Sequence, residues 1–261
     1  MSTLRIAAIQ HDIVWMDQQA NYDRLAPMIA GAAAAGAGLV LLTETFSTGF
    51  GFRDDGEAEM RAEPEGGASA QFLESMAAEH GLWVGGTALE IPAGSGETRP
   101  SNTFILAGAD GTTHRYRKIH PFTYSGEERV VAPGADFVTV DIDGVSVTLF
   151  VCYDLRFADE FWQLAHETDV YLVPANWPER RRTHWISLLQ ARAIENQAYV
   201  VGVNRVGIGG GQTFCGDSHI IDPLGELLAT ASRNETVIWA DVSATHVAQV
   251  RERFRFLQDR R

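Results

Sequence analysis

Short apolar runs and amphipathic segments alternate along this chain. The runs occupy residues 4–9, 39–42, 82–90, 145–151, 170–173, 199–203 and 237–242. Each is only a few residues long and is bounded by glycine, proline or polar residues. This pattern predicts β-strands, most of them covered on both faces.

Several of the segments between these runs have apolar residues at helical spacing. Apolar side chains recur every three or four residues in three segments, at Leu25, Met28, Ile29, Ala32 and Ala33, at Phe72, Leu73, Met76 and Ala77, and at Trp185, Leu188, Leu189 and Ala193. Pro27 predicts a late start or a kink in the first helix, and Ser69 is a suitable N-cap for the second. Further helices are expected over residues 158–167 and in the charged C-terminal tail.

Two turn signals, at residues 110–111 and 222–225, predict β-hairpins. Strands that alternate with helices, together with hairpins, indicate an α/β protein with mixed sheets and helices packed outside them. No low-complexity linker interrupts residues 1–261, so a single domain is expected. The glycines at 207 and 209–211 predict a flexible loop, because they lack the context of a nucleotide-binding turn.

Composition and charge exclude several classes of function. The chain has 261 residues, of which 45% are hydrophobic, and a formal net charge of −13, which argues against nucleic acid or an anionic membrane as a partner. Its two cysteines form no disulfide framework, and its longest uncharged apolar run is too short to span a bilayer. No signal peptide is recognisable, so we expect a cytoplasmic protein.

Cys152 lies where the apolar run 145–151 stops abruptly and a helix-like segment follows. In α/β folds, ligands bind at the carboxyl ends of the strands, so a thiol at this turn is a candidate nucleophile. Most free cysteines, however, are small buried hydrophobic residues, and that interpretation of Cys152 stays open at this point.

Two more strands end in a residue that could take part in chemistry. Glu44 follows the run 39–42, and Lys118 ends the second strand of the first hairpin. Glu44 could equally be the first solvated residue of a loop, and Lys118 one cation of a basic edge strand. The favoured interpretation rests on all three groups together, because three strands each deliver one reactive group at their ends.

A thiol, a carboxylate and an ammonium group suffice for acyl transfer. Cys152 would attack a carbonyl carbon, Glu44 would accept and later return the proton, and Lys118 would neutralise the oxyanion, with the backbone N–H of Tyr153 as a second donor. A free thiol and a free glutamate differ by about 4 in pKa, so unassisted proton transfer costs roughly 5–6 kcal/mol. We therefore expect burial to raise the pKa of Glu44, and Lys118 and the following helix start to lower that of Cys152, while the resting proton could lie on either group.

With these three groups in this order, the chain resembles the carbon–nitrogen hydrolase (nitrilase) superfamily. The resemblance is carried by residues 42–46, 116–120 and 151–157, which match the Glu, Lys and Cys motifs in order, and by residues 174–178, 190–197 and 216–218. It implies a four-layer α-β-β-α sandwich, usually dimeric or larger, a covalent thioester intermediate, and no metal or organic cofactor. The homo-oligomer and the small-molecule amide substrate are thus expectations from the resemblance.

Residues 176–178 with His184-Trp185 most resemble the omega-amidase branch. That branch hydrolyses terminal amides of small dicarboxylic acid derivatives such as 2-oxoglutaramate. The superfamily often carries a second glutamate near the site, and spacing favours Glu127 over Glu128 here.

A carboxylate-bearing substrate would need a cation in the pocket. Arg156 is the candidate that follows the nucleophile, and Arg180, Arg181 and Arg182 follow the segment of Trp177. An arginine run on an acidic protein is usually a solvated surface, so each of these candidates has a plain alternative. Tyr153 and Trp177 are expected as pocket residues, although a buried tryptophan is often only core.

The sequence offers weaker support for other functions. A Cys–His pair has no supporting Asn or Asp signature, and a zinc site from His114 and His120 has no convincing spacing. A nitrile or N-carbamoyl hydrolase of the same superfamily stays possible, as does a catalytically inactive binding or assembly module. Cys215 is interpreted as structural.

Overall fold

The computed structural model describes residues 3–51, 61–94 and 96–260. Within them the strands form two mixed seven-stranded sheets. The first contains β1 (Leu4–Gln10), β2 (Leu39–Leu41), β3 (Glu63–Pro64), β4 (Trp83–Ile91), β5 (Ser101–Ala107), β6 (Thr113–Arg117) and β14 (Thr236–Val242). The second contains β7 (Thr139–Ile142), β8 (Val145–Leu149), β9 (Val170–Ala175), β10 (Tyr199–Asn204), β11 (Val206–Gly209), β12 (Gln212–Ile221) and β13 (Leu227–Ser232).

The described helices are α1 (Gln18–Ala34), α2 (Ala68–His80), α3 (Glu127–Val130), α4 (Ala158–Leu164), α5 (Arg182–Asn196) and α6 (Ala244–Arg253). The first sheet runs β14-β1-β2-β4-β5-β6, with β3 on β4, and the second runs β11-β12-β10-β9-β8-β7, with β13 on β12. Parallel pairing of β1, β2 and β4, and of β8, β9 and β10, puts the carboxyl ends of these strands at common sheet edges.

Strand alternation builds four layers. In β1, Ile6 packs into a core shared by both sheets, whereas Ile9 packs into a second core that includes Leu25 of α1 and Leu73 of α2. The outer face of the second sheet is covered by α5, whose Leu189 lies against Gly202 of β10. The two sheets therefore lie between helical layers, and the expected α-β-β-α sandwich is confirmed.

Two helix starts differ from the sequence-based predictions. Helix α1 begins well before Pro27, because the Asp17 carboxylate caps it by accepting from the N–H of Ala20 at 3.0 Å. Ser69 lies inside α2 and does not cap it. Its N–H and hydroxyl both donate to Glu63 of β3 at 2.7 Å, so a strand residue outside the helix takes the capping role.

The glycine-rich segment was predicted to be a flexible loop, and this prediction is wrong. Residues 206–209 and 212–221 pair as the hairpin β11–β12. Gly210 and Gly211 form its turn with φ of +55° and +74°, a backbone conformation that glycine adopts readily. Among the described residues, no helix is both long and apolar enough to cross a membrane.

Two glycine substitutions should have opposite effects on stability. In Gly202→Ala the new Cβ would lie 2.5 Å from Leu189 Cδ1, so the free energy of unfolding should fall by about 1–3 kcal/mol through overpacking. In Gly31→Ala, on the exposed side of α1, nothing lies within 4 Å, and stability should rise by about 0.5–1 kcal/mol. Urea unfolding of both variants checks this, and an unchanged midpoint for Gly202→Ala would contradict the close packing of α5 on β10.

Candidate active site

Three strand ends deliver the residues that the sequence singled out. Glu44 follows β2, Lys118 follows β6 and Cys152 follows β8. The N–H of Lys118 donates to the carbonyl oxygen of Asn102 at 2.9 Å, which continues the β5–β6 ladder one residue further. The side chains of Glu44 and Lys118 are fully buried, and Cys152 is 8% exposed. Neither Glu44 nor Lys118 is thus a solvated loop or edge residue.

Lys118 joins two buried carboxylates. Its Nζ lies 3.0 Å from Glu44 Oε1 and 2.9 Å from Glu127 Oε2, and all three side chains are inaccessible to solvent. Burial alone would lower the pKa of Lys118, but the charges of Glu127 and Glu44 outweigh it and raise that pKa. Burial also raises the pKa of Glu127, against the opposing charge of Lys118. The ammonium group therefore stays charged, held between two acids.

Neutral donors hold the two carboxylates in place. Asn102 Nδ2 donates to Glu44 Oε1 at 2.9 Å and to Glu127 Oε1 at 3.3 Å. The backbone N–H of Asn176, just after β9 of the second sheet, donates to Glu44 Oε2 at 2.8 Å. The N–H of Phe122 donates to Glu127 Oε2 at 2.5 Å. Glu44 thus receives donors from both sheets, which fixes its orientation at the seam between them.

Cys152 opens a short 3-10 turn (Cys152–Arg156) with φ of +45°, an unusual conformation for a residue with a Cβ. Burial, and next the charge of Glu44, raise the pKa of its thiol well above its ordinary value, while the charge of Lys118 opposes them. The expectation of a lowered pKa is therefore wrong, because the desolvation cost of a thiolate exceeds the attraction of one lysine. Burial and the charge of Glu44 thus favour the neutral thiol over the thiolate.

Asp154 ties the cysteine turn to the first sheet. Its buried carboxylate accepts from the N–H of Val151 at 3.0 Å, the hydroxyl of Tyr116 at 2.8 Å and the N–H of His120 at 3.0 Å. Tyr116 and His120 flank Lys118 in the chain, so this one side chain sets the turn of Cys152 against the strand end of Lys118. Burial raises the pKa of Asp154 to about 6, although Lys118 opposes the rise.

A cavity of about 200 Å³ opens onto Cys152. Tyr153, Trp177 and Arg156 all line it, where the sequence placed them. Trp177 is 3% exposed and is fixed by its indole N–H, which donates to the carbonyl oxygen of Arg181 at 2.8 Å. The guanidinium of Arg156 lies 4.7 Å from the centroid of the Trp177 ring. The three predicted pocket residues therefore share one wall.

The arginine run divides between the cavity and a structural ion pair. Arg180 and Arg181 line the cavity, whereas Arg182 pairs with Asp217 at 2.5 Å. Burial, and then the charges of Arg180 and Arg156, lower the pKa of Arg181, so these three cations lie close enough to repel one another. Within the described residues, none of the three has a carboxylate partner in an ion pair. The cavity is consequently lined by three cations that form no ion pair with a carboxylate of the described residues.

Packing also separates Glu127 from Glu128, the other candidate for the second glutamate. Glu127 is buried on Lys118, whereas the side chain of Glu128 is 38% exposed and lies 3.7 Å from Arg129. The sequence analysis missed Asn102 and the cavity residues contributed by distant segments, which are Trp15, Phe50, Phe122, Tyr124, Gln212 and Phe214. One feature of the sequence pointed to Asn102, because it lies in the same predicted hairpin as Lys118.

The histidines near the site have other roles. His114 stacks on Trp83, and among the described residues it is not part of the cluster of potential metal ligands that contains His120. His120 Nε2 lies 2.5 Å from Glu160 Oε1, and with Asp154 these residues form a cluster whose ligand atoms lie within 4.8 Å of one another. Because both oxygens of Asp154 already accept hydrogen bonds, the cluster is explained as a structural hydrogen-bond network. Cys215 donates to Asp217 at 3.0 Å and is buried, which fits a structural residue.

Comparison with known proteins places this site in a family. The profile described as carbon-nitrogen hydrolase matches residues 5–252. The chain belongs to the carbon–nitrogen hydrolase family. Omega-amidase YafV of Escherichia coli is 37% identical, over 99% of this chain and 97% of that protein. The 2-oxoglutaramate amidase of Bacillus subtilis is 32% identical, over 95% of this chain and 93% of that protein.

The fold has a solved counterpart. The crystal structure of XC1258 from Xanthomonas campestris is that of a CN-hydrolase superfamily protein with an arsenic adduct in the active site. It matches with a TM-score of 0.91 and 32% identity, over 100% of this chain and 98% of that chain. The family resemblance and the fold class expected from the sequence are confirmed.

The buried Asp154 carboxylate should leave a pH signature in stability. A group whose pKa rises on folding, here from 3.8 to about 6, stabilises the fold fully below 3.8, and this contribution disappears as the pH rises through 6. Between pH 7 and pH 4, the wild type should gain up to about 3 kcal/mol relative to Asp154→Asn. Chemical unfolding of both proteins across this range is the measurement, and parallel pH profiles would contradict it.

Proposed function

We propose that this protein hydrolyses the amide bond of a small aliphatic substrate with a distal carboxylate, through a thioester on Cys152, and releases ammonia. The observation that carries the proposal is Lys118 held between the buried carboxylates of Glu44 and Glu127 beside a cavity that reaches Cys152. Family membership and two amidase relatives support the enzyme class, an amidase.

Acylation starts from a neutral thiol. As Cys152 Sγ attacks the amide carbon, its proton passes to Glu44, which interacts with it directly. The carbonyl oxygen becomes an oxyanion that Lys118 Nζ and the N–H of Tyr153 stabilise. Glu44 then returns the proton to the nitrogen, the C–N bond breaks, and ammonia leaves a thioester behind.

Deacylation reverses the roles of the same groups. A water molecule gives one proton to Glu44 and adds to the thioester carbon, and the second oxyanion is stabilised as the first was. When the C–S bond breaks, the proton on Glu44 returns to Cys152 and the carboxylic acid product is free. Glu127 takes no proton in this cycle, and its role is to hold Lys118 in position and charged.

The substrate class follows from charge. An acidic protein repels anions at long range, whereas Arg156, Arg180 and Arg181 bring to the cavity cations that pair with no carboxylate in the part of the chain that the structure describes. Planar guanidinium groups match a carboxylate in geometry and charge. The relative named 2-oxoglutaramate amidase acts on a substrate of this kind, which supports an ω-amide substrate here.

Two substitutions test the chemical roles. Cys152→Ala should abolish release of ammonia from glutaramate while thermal unfolding stays nearly unchanged, because only the nucleophilic sulfur is lost. Glu44→Gln keeps the shape but cannot shuttle a proton, so single-turnover acylation should slow by about 10²–10⁴-fold.

Retained turnover in Cys152→Ala would reject the nucleophile, and a normal acylation rate in Glu44→Gln would reject the base. Ammonia without the matching carboxylic acid, or faster turnover of the corresponding nitrile, would redirect the proposal to another reaction of the superfamily. No turnover of any amide by the correctly folded wild type would favour a binding module.

Charge substitutions test the distal carboxylate. Arg156→Met and Arg181→Met should each raise KM for glutaramate by about 10–100-fold, because each removes a charge-assisted hydrogen bond. The neutral amide butanamide should be hydrolysed with kcat/KM unchanged within a few-fold. Arg182→Met is the matched control from the same run, since its guanidinium faces Asp217. Equal losses for both substrates would show that these arginines act on structure alone.

A further inference from the structure

Trp15 is a cavity residue enclosed by glycines. It lies in the turn after β1 and lines the same cavity as Cys152. Four glycines lie against its ring. A Cβ added to Gly49 or Gly51 would lie 2.8 Å from a ring atom of Trp15, and one added to Gly209 or Gly210 would lie 3.0 or 2.9 Å away, respectively. Only glycine lets the indole approach the backbone this closely at four positions.

The four glycines come from two loops that are distant in sequence. Gly49 and Gly51 belong to the segment that follows Glu44, and Gly209 and Gly210 belong to the β11–β12 hairpin. The ring is therefore held between the loop that follows β2 and the β11–β12 hairpin of the second sheet. The ring is half-buried, and close packing against these glycines restricts its movement unless a loop moves with it.

Arg61 reinforces this packing from one side. Its guanidinium lies 4.5 Å from the centroid of the Trp15 ring, and Nη1 donates to the carbonyl oxygens of Gly49 at 3.1 Å and Gly51 at 2.6 Å. One side chain thus stacks on the indole and also fixes the loop that encloses it.

The same loop reaches the reacting groups. Phe50 lies between the two glycines of that loop, and its ring centroid is 5.1 Å from Lys118 Nζ. Phe214, in the β11–β12 hairpin, also lines the cavity and is backed by the buried guanidinium of Arg205 at 4.7 Å. Trp15, Phe50 and Phe214 form an apolar wall, distinct from the cluster of arginines and aromatic rings around Tyr124.

We propose that Trp15 is a specificity-determining residue, the rigid apolar wall that limits the size of the acyl group admitted to Cys152. The inference rests on the proposed amide hydrolysis and adds a size limit to it. In a cavity of about 200 Å³, an acyl chain that extends toward this wall meets an indole held by close packing on its glycine side, so each extra methylene is penalised.

The test is the dependence of kcat/KM on chain length for neutral straight-chain amides from propanamide to octanamide. In the wild type, kcat/KM should fall steeply with length. In Trp15→Ala the ratio of octanamide to propanamide should rise at least tenfold, because the wall is removed, and Trp15→Phe should lie between them. Trp162→Ala, which removes an exposed tryptophan on α4, is the matched control and should leave the ratio unchanged.

A ratio that stays the same in Trp15→Ala and Trp15→Phe, with normal thermal unfolding, overturns the inference. A binding measurement tests the size limit separately from amide hydrolysis. In the Cys152→Ala background, calorimetry should show that Trp15→Ala binds octanamide at least tenfold more tightly and propanamide about equally. If the wild type hydrolysed no amide, the proposed function would fail, whereas this binding comparison would still decide whether Trp15 limits size.

Discussion

The structure depends on one lysine held between two carboxylates, all three with side chains inaccessible to solvent. Isolated charges buried in this way are strongly disfavoured, so Lys118, Glu44 and Glu127 are tolerated only as a set with its hydrogen bonds complete. Donors to Glu44 come from Asn102 in the first sheet and Asn176 at the end of a strand in the second. The charged group is thus also a joint between the two halves of the sandwich.

This joint decides the electrostatics of the cavity. Its two acids surround one cation, and burial together with the charge of Glu44 favours the protonated form of Cys152. A neutral thiol needs a neighbouring base to take its proton when it attacks, and Glu44 is placed to be that base. The arginines in the cavity are positively charged. They would attract the carboxylate of an anionic substrate at one part of the wall, while the reacting carbonyl lies beside Cys152 and Lys118.

The predictions from sequence succeeded where the pattern is local. Period-two alternation in β1 separates residues that face the other sheet from those that face the helices, and the strand ends carry Glu44, Lys118 and Cys152. They failed where a distant segment supplies the partner. Ser69 does not cap its helix because Glu63 does so, the glycines of the β11–β12 hairpin are ordered around Trp15, and burial outweighs Lys118 at Cys152.

The sequence by itself determined the layered fold, the family and the three reactive strand ends, because strand period, turn residues and ordered motifs are properties of neighbouring positions. Spacing favoured Glu127 over Glu128, but only the tertiary structure shows that Glu127 is buried on Lys118 while Glu128 is partly exposed, since the two are adjacent on one short helix and point about 100° apart. The tertiary structure also turned Arg181 toward the cavity and Arg182 toward Asp217. The direction of a side chain and the loss of its water depend on segments far away in the chain, which no local pattern encodes.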